Sequence, residues 1–490
     1  MKVLFAAAEL APIAKVGGLG DVMEALPRAL SHSGVKTAIV IPRYAFINIS
    51  GVKRIAADVP ISLARETQHV SLYKTALKHA RAVEVYLVEN AKYLSTGPAP
   101  YFEQTAFVGA ATEIKRFAFF SKAVFELISR GFLRADIVHC NDWHTGALAS
   151  LLKRKYEIRN PVEGHGSHGT LRPKLETPKV VFTVHNLSNQ GKWRAKEIDK
   201  WFLREGERSP FRQFGKNYNF IAEGIRSADA VTTVSKRYAR EIQTREYGEG
   251  LEQLLCARKR KLTGILNGID AAFFDPARDL FIAHRFSRRT AREKIVNKLA
   301  LQHALGLRVD SAVPLFGMVA RLTDQKGIGL MLANMHRWLK RTNAQFVFLG
   351  KGLPKYEQAL TRIAEKFPSC VAARIIFSER FSHQIYAGSD FFFMPSLFEP
   401  SGLGQMIAMR YGTIPIVRDT GGLHDSVRHM QTGIVFKKPN AKELNAAVQT
   451  ALTIYSKKEV FEKMRKNCMK ENFDFSTSAR EYKKLYNHIR

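Results

Sequence analysis

The stretch MKVLFAAAELAPIAKVGGLGDVMEALPRAL, residues 1–30, contains the pattern that decides the fold. A short apolar run at residues 3–8 ends at Glu9 and is followed by a glycine-rich turn at residues 15–21. Apolar residues then recur at the spacing of one helix face, at Val22, Leu26 and Leu30. A strand that leads through a glycine turn into a helix is the first part of a parallel α/β unit.

The same order of apolar run, turn and amphipathic stretch recurs along the chain. The first half contains predicted strands at residues 3–8, 37–41, 83–88, 137–139, 180–184 and 230–234. The second half contains predicted strands at residues 315–319, 345–349, 374–377, 391–394 and 414–417. Short apolar strands that alternate with helices are typical of parallel sheets. The sequence therefore predicts an α/β protein with two successive sheets.

The basic run RKRK at residues 258–261 lies between the two series of strands, and we place the domain division near residue 262. The predicted parts are residues 1–262, residues 263–460, and C-terminal helices at residues 461–490 that we expect to pack back on the first domain. A further segment, residues 160–178, is rich in glycine and proline and is predicted to be a surface insertion loop.

The 490-residue chain is long enough for more than one buried core. Hydrophobic residues make up 46% and charged residues 24%, which excludes a disordered tail or a disulfide mini-scaffold. The net charge of +32 predicts a positive potential that attracts polyanions, membranes or phosphorylated small molecules. Charge alone does not choose among these partners.

The cysteine spacing and the N-terminus bear on the compartment. The four cysteines lie too far apart for a CxxC pair or a metal-ligand cluster: Cys140, Cys256, Cys370 and Cys468. A reducing compartment fits this usage best. The apolar run at residues 3–8 is short for a signal peptide, and no run approaches the roughly 18 apolar residues of a spanning helix. We expect a soluble, cytoplasmic protein that begins at its mature end, with no membrane partner.

The glycine-rich turn KVGGLGDV, residues 15–22, has the form of a phosphate-binding turn, because its backbone N–H groups can approach an anion at a helix start. It is not the dinucleotide GxGxxG pattern, since residue 23 is Met, and it lacks the GK[ST] ending of a P-loop. A tight structural turn explains the spacing equally well.

The second half offers a sharper constellation. The predicted strand 315–319 ends in ARLTDQKG, which places Arg321 and Lys326 at the carboxyl end of a strand, where open α/β sheets bind ligands. The predicted strand 391–394 leads into PSLFEPSGLG, where Glu399 precedes a glycine-containing helix start at residues 402–403. Two cations and helix-start amides suit a diphosphate.

A bound diphosphate indicates leaving-group stabilisation in glycosyl or phosphoryl transfer. Loss of one such donor typically raises the barrier by about 3–4 kcal/mol. The chain contains no DxD sequence, so we expect Arg321 and Lys326 to take the place of the metal found in single-domain glycosyltransferases, and we predict no metal site and no cofactor.

Two predicted strands of the first half end in polar clusters. FTVHNL places His185 after one strand, and HCNDWHTG places Asp142 after another. A single histidine at a strand end is more often structural, but two such ends on one sheet edge favour the wall of an interdomain cleft.

Taken together, the motifs resemble those of the bacterial glycogen synthases and plant starch synthases, glycosyltransferase family 5. The family's order and approximate spacing are present in MKVLFAAAELAPIAKVGGLGDV, HCNDWHTG, FTVHNL, GILNGID, ARLTDQKG, FEPSGLGQ and YGTIPIVRDTGGLHDSV. The resemblance covers essentially the whole chain. It implies a GT-B fold, with two Rossmann-like domains facing across a cleft, and transfer of glucose from ADP-glucose to the non-reducing end of an α-1,4-glucan with retention of configuration.

By the same resemblance, the first domain is the acceptor side and the second binds the nucleotide sugar. The catalytic residues it implies are His185, Arg321, Lys326 and Glu399. The nucleotide-sugar contacts it implies are Lys15, Gly17, Gly18, Asn267, Phe377, Ser401, Gly402 and Leu403. Asp142 would face the acceptor, and the partners would be ADP-glucose and glycogen.

The chain also departs from the family pattern. Ser401 stands where the family usually has Cys, Gly404 where it has Thr, and Leu397 where it has Arg. The turn at residues 351–353 lacks the usual acidic residue. These changes bear on the affinity for the donor and on which nucleobase the donor carries more than on the class of reaction.

Three alternatives remain open at this point. In the first two, a retaining glycosyltransferase of the same fold uses UDP-glucose as donor or another molecule as acceptor. In the third, the protein is a catalytically silent glucan-binding scaffold. Nucleic acid is an improbable partner despite the charge of +32, because no nucleic-acid-binding fold or aromatic–basic pattern is present.

Overall fold

The structure is a computed structural model, and it describes residues 1–77, 80–95, 111–159 and 178–490. These residues form two compact units. The first contains Met1–Ile265 together with Phe475–Arg490, and the second contains Leu266–Asp474. The predicted insertion loop lies almost entirely outside the described residues.

The first unit is built on a mixed β-sheet with helices. Its strands are β1 (Lys2–Ala6), β2 (Lys36–Pro42), β3 (Lys53–Ser62), β4 (Thr67–Leu77), β5 (Ala80–Glu89), β6 (Ile137–Asn141), β7 (Lys179–Val184), β8 (Lys192–Arg194), β9 (Asn217–Asn219), β10 (Ala230–Thr233) and β11 (Leu262–Gly264). Its helices are α1 (Gly18–His32), α2 (Ala111–Ser129), α3 (Gly146–Arg159), α4 (Ala195–Phe202), α5 (Phe220–Ser227), α6 (Lys236–Glu241), α7 (Glu252–Ala257) and α16 (Phe475–Ile489).

Nine of these strands form one sheet in the order β11-β10-β7-β6-β1-β2-β5-β4-β3. The strands from β11 to β5 are parallel, and β3 and β4 extend the sheet as an antiparallel hairpin. The parallel strands β1, β6 and β7 are almost wholly buried, which is why they read as continuous apolar runs. The strands β3 and β4 were not predicted, because alternating exposure gives them no such run.

The second unit is a parallel sheet with helices. Its strands are β12 (Leu315–Val319), β13 (Gln345–Leu349), β14 (Val371–Arg374), β15 (Phe391–Met394), β16 (Ile414–Arg418) and β17 (Ile434–Phe436), in the order β14-β13-β12-β15-β16-β17. Its helices are α8 (Lys294–Leu305), α9 (Ile328–Arg341), α10 (Pro354–Lys366), α11 (Glu379–Gly388), α12 (Gly404–Arg410), α13 (Gly421–Ser426), α14 (Ala441–Ser456) and α15 (Lys458–Lys470). The ring of Phe316 on β12 stacks with rings from β13 and β15 in the core.

The predicted strand 374–377 is wrong in position, because β14 ends at Arg374. Residues of β14 pair with β13, and the next residues leave the sheet, so Phe377 lies in the turn before α11.

The C-terminal segment 461–490 divides between the units, unlike the prediction that all of it packs on the first domain. Helix α15 contributes Phe461 and Cys468 to the core of the second unit. Helix α16 contributes Tyr482 and Tyr486 to the core of the first. Within the described residues, no helix has both the length and the apolar character needed to cross a bilayer.

Close helix–sheet packing in the first unit gives a test of the fold. A Cβ added at Gly224 on α5 would lie 2.2 Å from Cε2 of Phe182 on β7. We expect Gly224→Ala to lower the free energy of unfolding by about 1–3 kcal/mol, because overpacking outweighs the better helix propensity of alanine. Urea unfolding followed by circular dichroism measures this change.

Gly329→Ala on α9 is the matched control, since the nearest atom to its added Cβ is the Tyr356 hydroxyl at 3.5 Å. Equal unfolding midpoints for the two variants would contradict the packing described.

Candidate functional site

In each unit the predicted site residues follow the carboxyl ends of neighbouring parallel strands. In the first unit these strands are β1, β6 and β7, and in the second they are β12 and β15. Two predicted residues are exceptions, since Phe377 follows β14 and Asn267 follows β11. Ligands of open α/β sheets bind at this edge, so each unit presents one candidate surface.

Several polar groups of the glycine-rich turn after β1 are paired with other residues of the chain. The carboxylate oxygen Oε2 of Glu9 accepts hydrogen bonds from the N–H groups of Val16, at 2.9 Å, and Gly17, at 2.8 Å. The Lys15 ammonium pairs with Asp21 Oδ1 at 2.7 Å. The N–H group of Gly17 therefore already donates to an internal carboxylate, as in the tight structural turn that explained the spacing equally well.

Gly18 is the first residue of α1, and its N–H group donates no hydrogen bond to another described residue. This amide is the part of the turn that remains oriented for an anion at a helix start.

Asp142 and His185, predicted from two separate motifs, are in direct contact. The N–H group of His185 donates to Asp142 Oδ1 at 2.7 Å, and the N–H group of Asn186 donates to the same oxygen at 3.4 Å. Asp142 has a φ of 55°, in the left-handed region that residues other than glycine seldom adopt. Burial raises the pKa of Asp142 to about 7, against the effect of these hydrogen bonds.

The ring of His185 is neutral and is oriented by Asn141. The Asn141 Nδ2 group donates to the carbonyl oxygens of Ala6 and His139, at 3.2 and 3.0 Å, so its Oδ1 faces the ring. His185 Nε2 lies 2.9 Å from that oxygen and therefore carries the proton. Burial lowers the pKa of His185 to about 3, so the ring supplies no positive charge at neutral pH.

In the second unit, Lys326 and Glu399 form an ion pair. The Lys326 Nζ atom lies 2.6 Å from Glu399 Oε2, and the Ser396 hydroxyl donates to the same oxygen at 2.9 Å. Glu399 is only 5% exposed, so its charge needs these partners. The side chain of Arg321 makes no hydrogen bond or ion pair with a described residue, and the residue is exposed, which leaves its guanidinium open to a ligand.

Several polar atoms of this unit are unpartnered. The N–H groups of Gly402 and Leu403 donate no hydrogen bond to the described part of the chain. The buried atoms Asn267 Oδ1 and Ser401 Oγ likewise have no hydrogen-bond partner there. Buried polar atoms are normally paired, so these are positions where a ligand would complete the hydrogen bonds.

Phe377 is 78% exposed, and it follows β14, which lies at the edge of the sheet with β13 between it and β12. Its free ring suits stacking on a planar group. In the described residues no cluster of three or more His, Cys, Asp or Glu is placed to hold a metal ion.

Sequence reasoning missed the residues that hold the site residues in place. These are Glu9, Asn141, Ser396 and Gln405. Asn141 and Gln405 stand inside the motifs HCNDWHTG and FEPSGLGQ, so position in a motif was a signal for them. Glu9 likewise stands inside MKVLFAAAELAPIAKVGGLGDV, whereas Ser396 has only its closeness to Glu399 as a signal.

Residues 2–257 match the family model of the starch synthase catalytic domain, and residues 307–471 match that of glycosyl transferases group 1. The chain is 36% identical to a glycogen synthase of Alkaliphilus metalliredigens over 100% of both chains. It is 38% identical to a glycogen synthase of Bacillus subtilis, over 100% of this chain and 98% of the relative. The chain belongs to the glycogen and starch synthase family.

A comparison with solved structures agrees with this membership. The catalytic domain of starch synthase IV from Arabidopsis thaliana, bound to ADP and acarbose, matches with a TM-score of 0.87 at 33% identity over 99% of both chains. The family and the GT-B fold class predicted from the sequence are thereby confirmed, and so is the prediction of a glycosyltransferase enzyme.

Buried neutral histidines in the first unit predict its acid sensitivity. Burial lowers the pKa of His139 and of His144 to about 3 from the ordinary 6.5. The unfolded chain binds protons at these rings below pH 6.5 and the folded chain does not, so stability is lost as the pH falls from 6.5 toward 3. Each ring contributes a slope of about 1.4 kcal/mol per pH unit.

We expect His139→Gln to reduce this slope by about one ring's share, although losing the bonds of His139 to Tyr486 and Thr183 lowers stability at every pH. Urea midpoints between pH 4 and 6.5 measure the slope. His69→Gln, at an exposed position on β4, is the control for loss of a histidine. An unchanged slope in His139→Gln would show that this ring is charged in the folded protein.

Proposed function

We propose that this protein transfers glucose from ADP-glucose to the non-reducing end of an α-1,4-glucan such as glycogen. The observation that carries the proposal is the full-length identity to glycogen synthases, together with the likeness to a starch synthase bound to ADP and acarbose. The chemistry of the two strand edges supports it, because one presents cations and free amides and the other presents neutral polar groups.

The cations and amides of the second unit bind the diphosphate of the donor. Arg321 is unpaired, and Lys326 is fixed by Glu399 at 2.6 Å. The N–H groups of Gly402 and Leu403 add two donors without charge. As the bond from glucose to phosphate breaks, negative charge grows on the diphosphate, and these groups stabilise it in the transition state.

Glucose hydroxyls pair with the unpartnered polar atoms of the second unit. Glu399 Oε2 is held by Lys326 and Ser396, and its carboxylate accepts from a sugar hydroxyl. Asn267 Oδ1 and Ser401 Oγ have no protein partner and supply further hydrogen bonds. A hydroxyl oxygen at Ser401 preserves the small polar contact where the family usually has cysteine.

His185 acts through a neutral group. Burial disfavours a charge on its ring, and the ring's Nε2–H points at Asn141, so the backbone carbonyl oxygen of His185 is the group suited to positive charge at the anomeric carbon. Lys15 and Gly18 add contacts to the donor phosphates, Phe377 stacks on the base, and Asp142 faces the acceptor.

Retention of configuration proceeds on one face of the sugar in this proposal. The bond from the anomeric carbon to the phosphate oxygen breaks, the acceptor hydroxyl oxygen bonds to that carbon, and its proton passes to the departing phosphate. A double displacement would need a carboxylate nucleophile. Glu399 is unsuited to that role because it is buried and paired with Lys326.

The proposal also covers metal independence and location in the cell. The reaction needs no metal, because Arg321 and Lys326 supply the positive charge. The protein works in the cytoplasm, a proposal supported by its four cysteines, all of them free thiols in the structure.

The direct test is incubation of the purified protein with glycogen and labelled ADP-glucose or UDP-glucose, with and without EDTA. We expect label in the polymer from ADP-glucose, at higher kcat/KM than from UDP-glucose and unaffected by EDTA. Preference for UDP-glucose would correct the donor. Binding of glycogen without any incorporation would instead favour the silent scaffold.

Substitution of the diphosphate-binding cations separates binding from catalysis. We expect Arg321→Ala and Lys326→Ala each to lower kcat by about 10²–10³-fold and to change the KM for glycogen little, because the cations act mainly on the transition state. Lys340→Ala, at the far end of α9, is the control for loss of an exposed cation. An unchanged kcat in both site variants would refute this assignment.

A further inference from the structure

Gln405 is a buried residue next to the free amides, and the proposed function gives it no role. It is the second residue of α12 and is 0% exposed. Its Nε2 group lies 2.9 Å from the carbonyl oxygen of Gly402, 2.9 Å from Ser426 Oγ and 3.3 Å from the carbonyl oxygen of Ser401.

These contacts fix the direction of two peptide groups. In a planar trans peptide, the C=O and N–H bonds point in opposite directions. Because Gln405 holds the carbonyl oxygens of Ser401 and Gly402, the N–H groups of the same two peptides, those of Gly402 and Leu403, point away from Gln405. Neither N–H group has a partner among the described residues.

The orientation of the Gln405 amide is itself determined. Its Oε1 atom is buried without a hydrogen-bond partner, whereas Nε2 faces three acceptors. A flipped amide would place oxygen against two carbonyl oxygens. Gly402 has a φ of 68°, and a Cβ added there would lie 2.6 Å from Gln405 Oε1, so the turn packs directly on this side chain.

Ser426 extends the network to the loop on the other side of Glu399. Its hydroxyl donates to the carbonyl oxygen of Gly422 at 2.6 Å, and the Gly422 N–H group donates to the carbonyl oxygen of Glu399 at 3.0 Å. One side chain, Gln405, therefore links the turn at residues 401–403 to the loop that supports Glu399.

We propose that Gln405 is a positioning residue that holds the N–H groups of Gly402 and Leu403 in the direction needed to bind the donor's diphosphate. The proposal rests on the proposed function, since it assigns those amides to the diphosphate. It predicts that Gln405 affects donor binding and kcat without affecting the acceptor.

A second buried glutamine of the same unit provides a matched control. Gln345 is 1% exposed, and its Nε2 group donates to the carbonyl oxygens of Arg308, at 2.7 Å, and Ser369, at 3.2 Å. It is the first residue of β13, so it lies at the amino ends of the strands, opposite the candidate site. Gln345→Met and Gln405→Met remove the same donor group from equally buried places, and Gln345→Met also removes the acceptor of Gln302 Nε2, which lies 2.8 Å from Gln345 Oε1.

The experiment compares these two variants with the wild-type protein. Calorimetry measures ADP affinity, initial rates measure kcat and both KM values, and urea unfolding measures stability. We expect Gln405→Met to lower kcat/KM for ADP-glucose by about 100-fold and to weaken ADP binding, with the KM for glycogen unchanged, because a small misorientation of donors is costly. Gln345→Met should lower the free energy of unfolding and leave kcat/KM for ADP-glucose and the affinity for ADP unchanged.

Two further variants keep the test decisive if Gln405→Met folds poorly. Ser426→Ala removes one acceptor of Gln405 and should weaken ADP binding in the same direction but less. Gln405→Glu should regain activity relative to the wild-type protein as the pH falls, because only a protonated carboxyl can donate to a carbonyl oxygen.

ADP affinity equal to that of the wild-type protein in Gln405→Met or Ser426→Ala would overturn the proposal, as would equal kinetic losses in Gln345→Met. Failure of the proposed function has a different result, since wild-type protein would then bind ADP without incorporating glucose. The calorimetric comparison, made with UDP in place of ADP if the wild-type protein prefers UDP-glucose, tests the positioning role in either case.

Discussion

The ion pair between Lys326 and Glu399 is the interaction on which the candidate site of the second unit depends. Glu399 is almost fully buried, and a buried carboxylate without a partner is strongly destabilising. The pair joins the loop after β12 to the loop after β15, so one contact fixes a cation and a carboxylate together. Gly421 packs closely against the backbone of Glu399, and a Cβ there would lie 1.9 Å from the carbonyl oxygen of Glu399.

The two units differ in the charge of their polar side chains. In the first unit, burial lowers the pKa of His139, His144 and His185 to about 3 and raises the pKa of Asp142 to about 7. The second unit instead presents Arg321 as an unpaired cation. The net charge of +32 also attracts an anionic donor from solution, whereas a neutral glucan gains nothing from it.

Much of the fold was predictable because buried parallel strands leave continuous apolar runs. The strands β1, β7, β12 and β15 were found in this way, whereas the half-exposed hairpin of β3 and β4 was not. The C-terminal helices could not be assigned to a unit from their sequence. Both are amphipathic, and only packing shows that Phe461 enters one core and Tyr486 the other.

The sequence by itself determined the family, the buried parallel strands and which polar residues follow them, because turn motifs and apolar runs are local. Only the tertiary structure decided which of these residues meet. Lys326 and Glu399 are 73 residues apart, and Asn141 and His185 are 44 apart. It alone also decided that Glu9 occupies the amide of Gly17 and that the ring of His185 is neutral. The physical reason is that hydrogen-bond partners and desolvation depend on which groups surround an atom in space, which no local pattern contains.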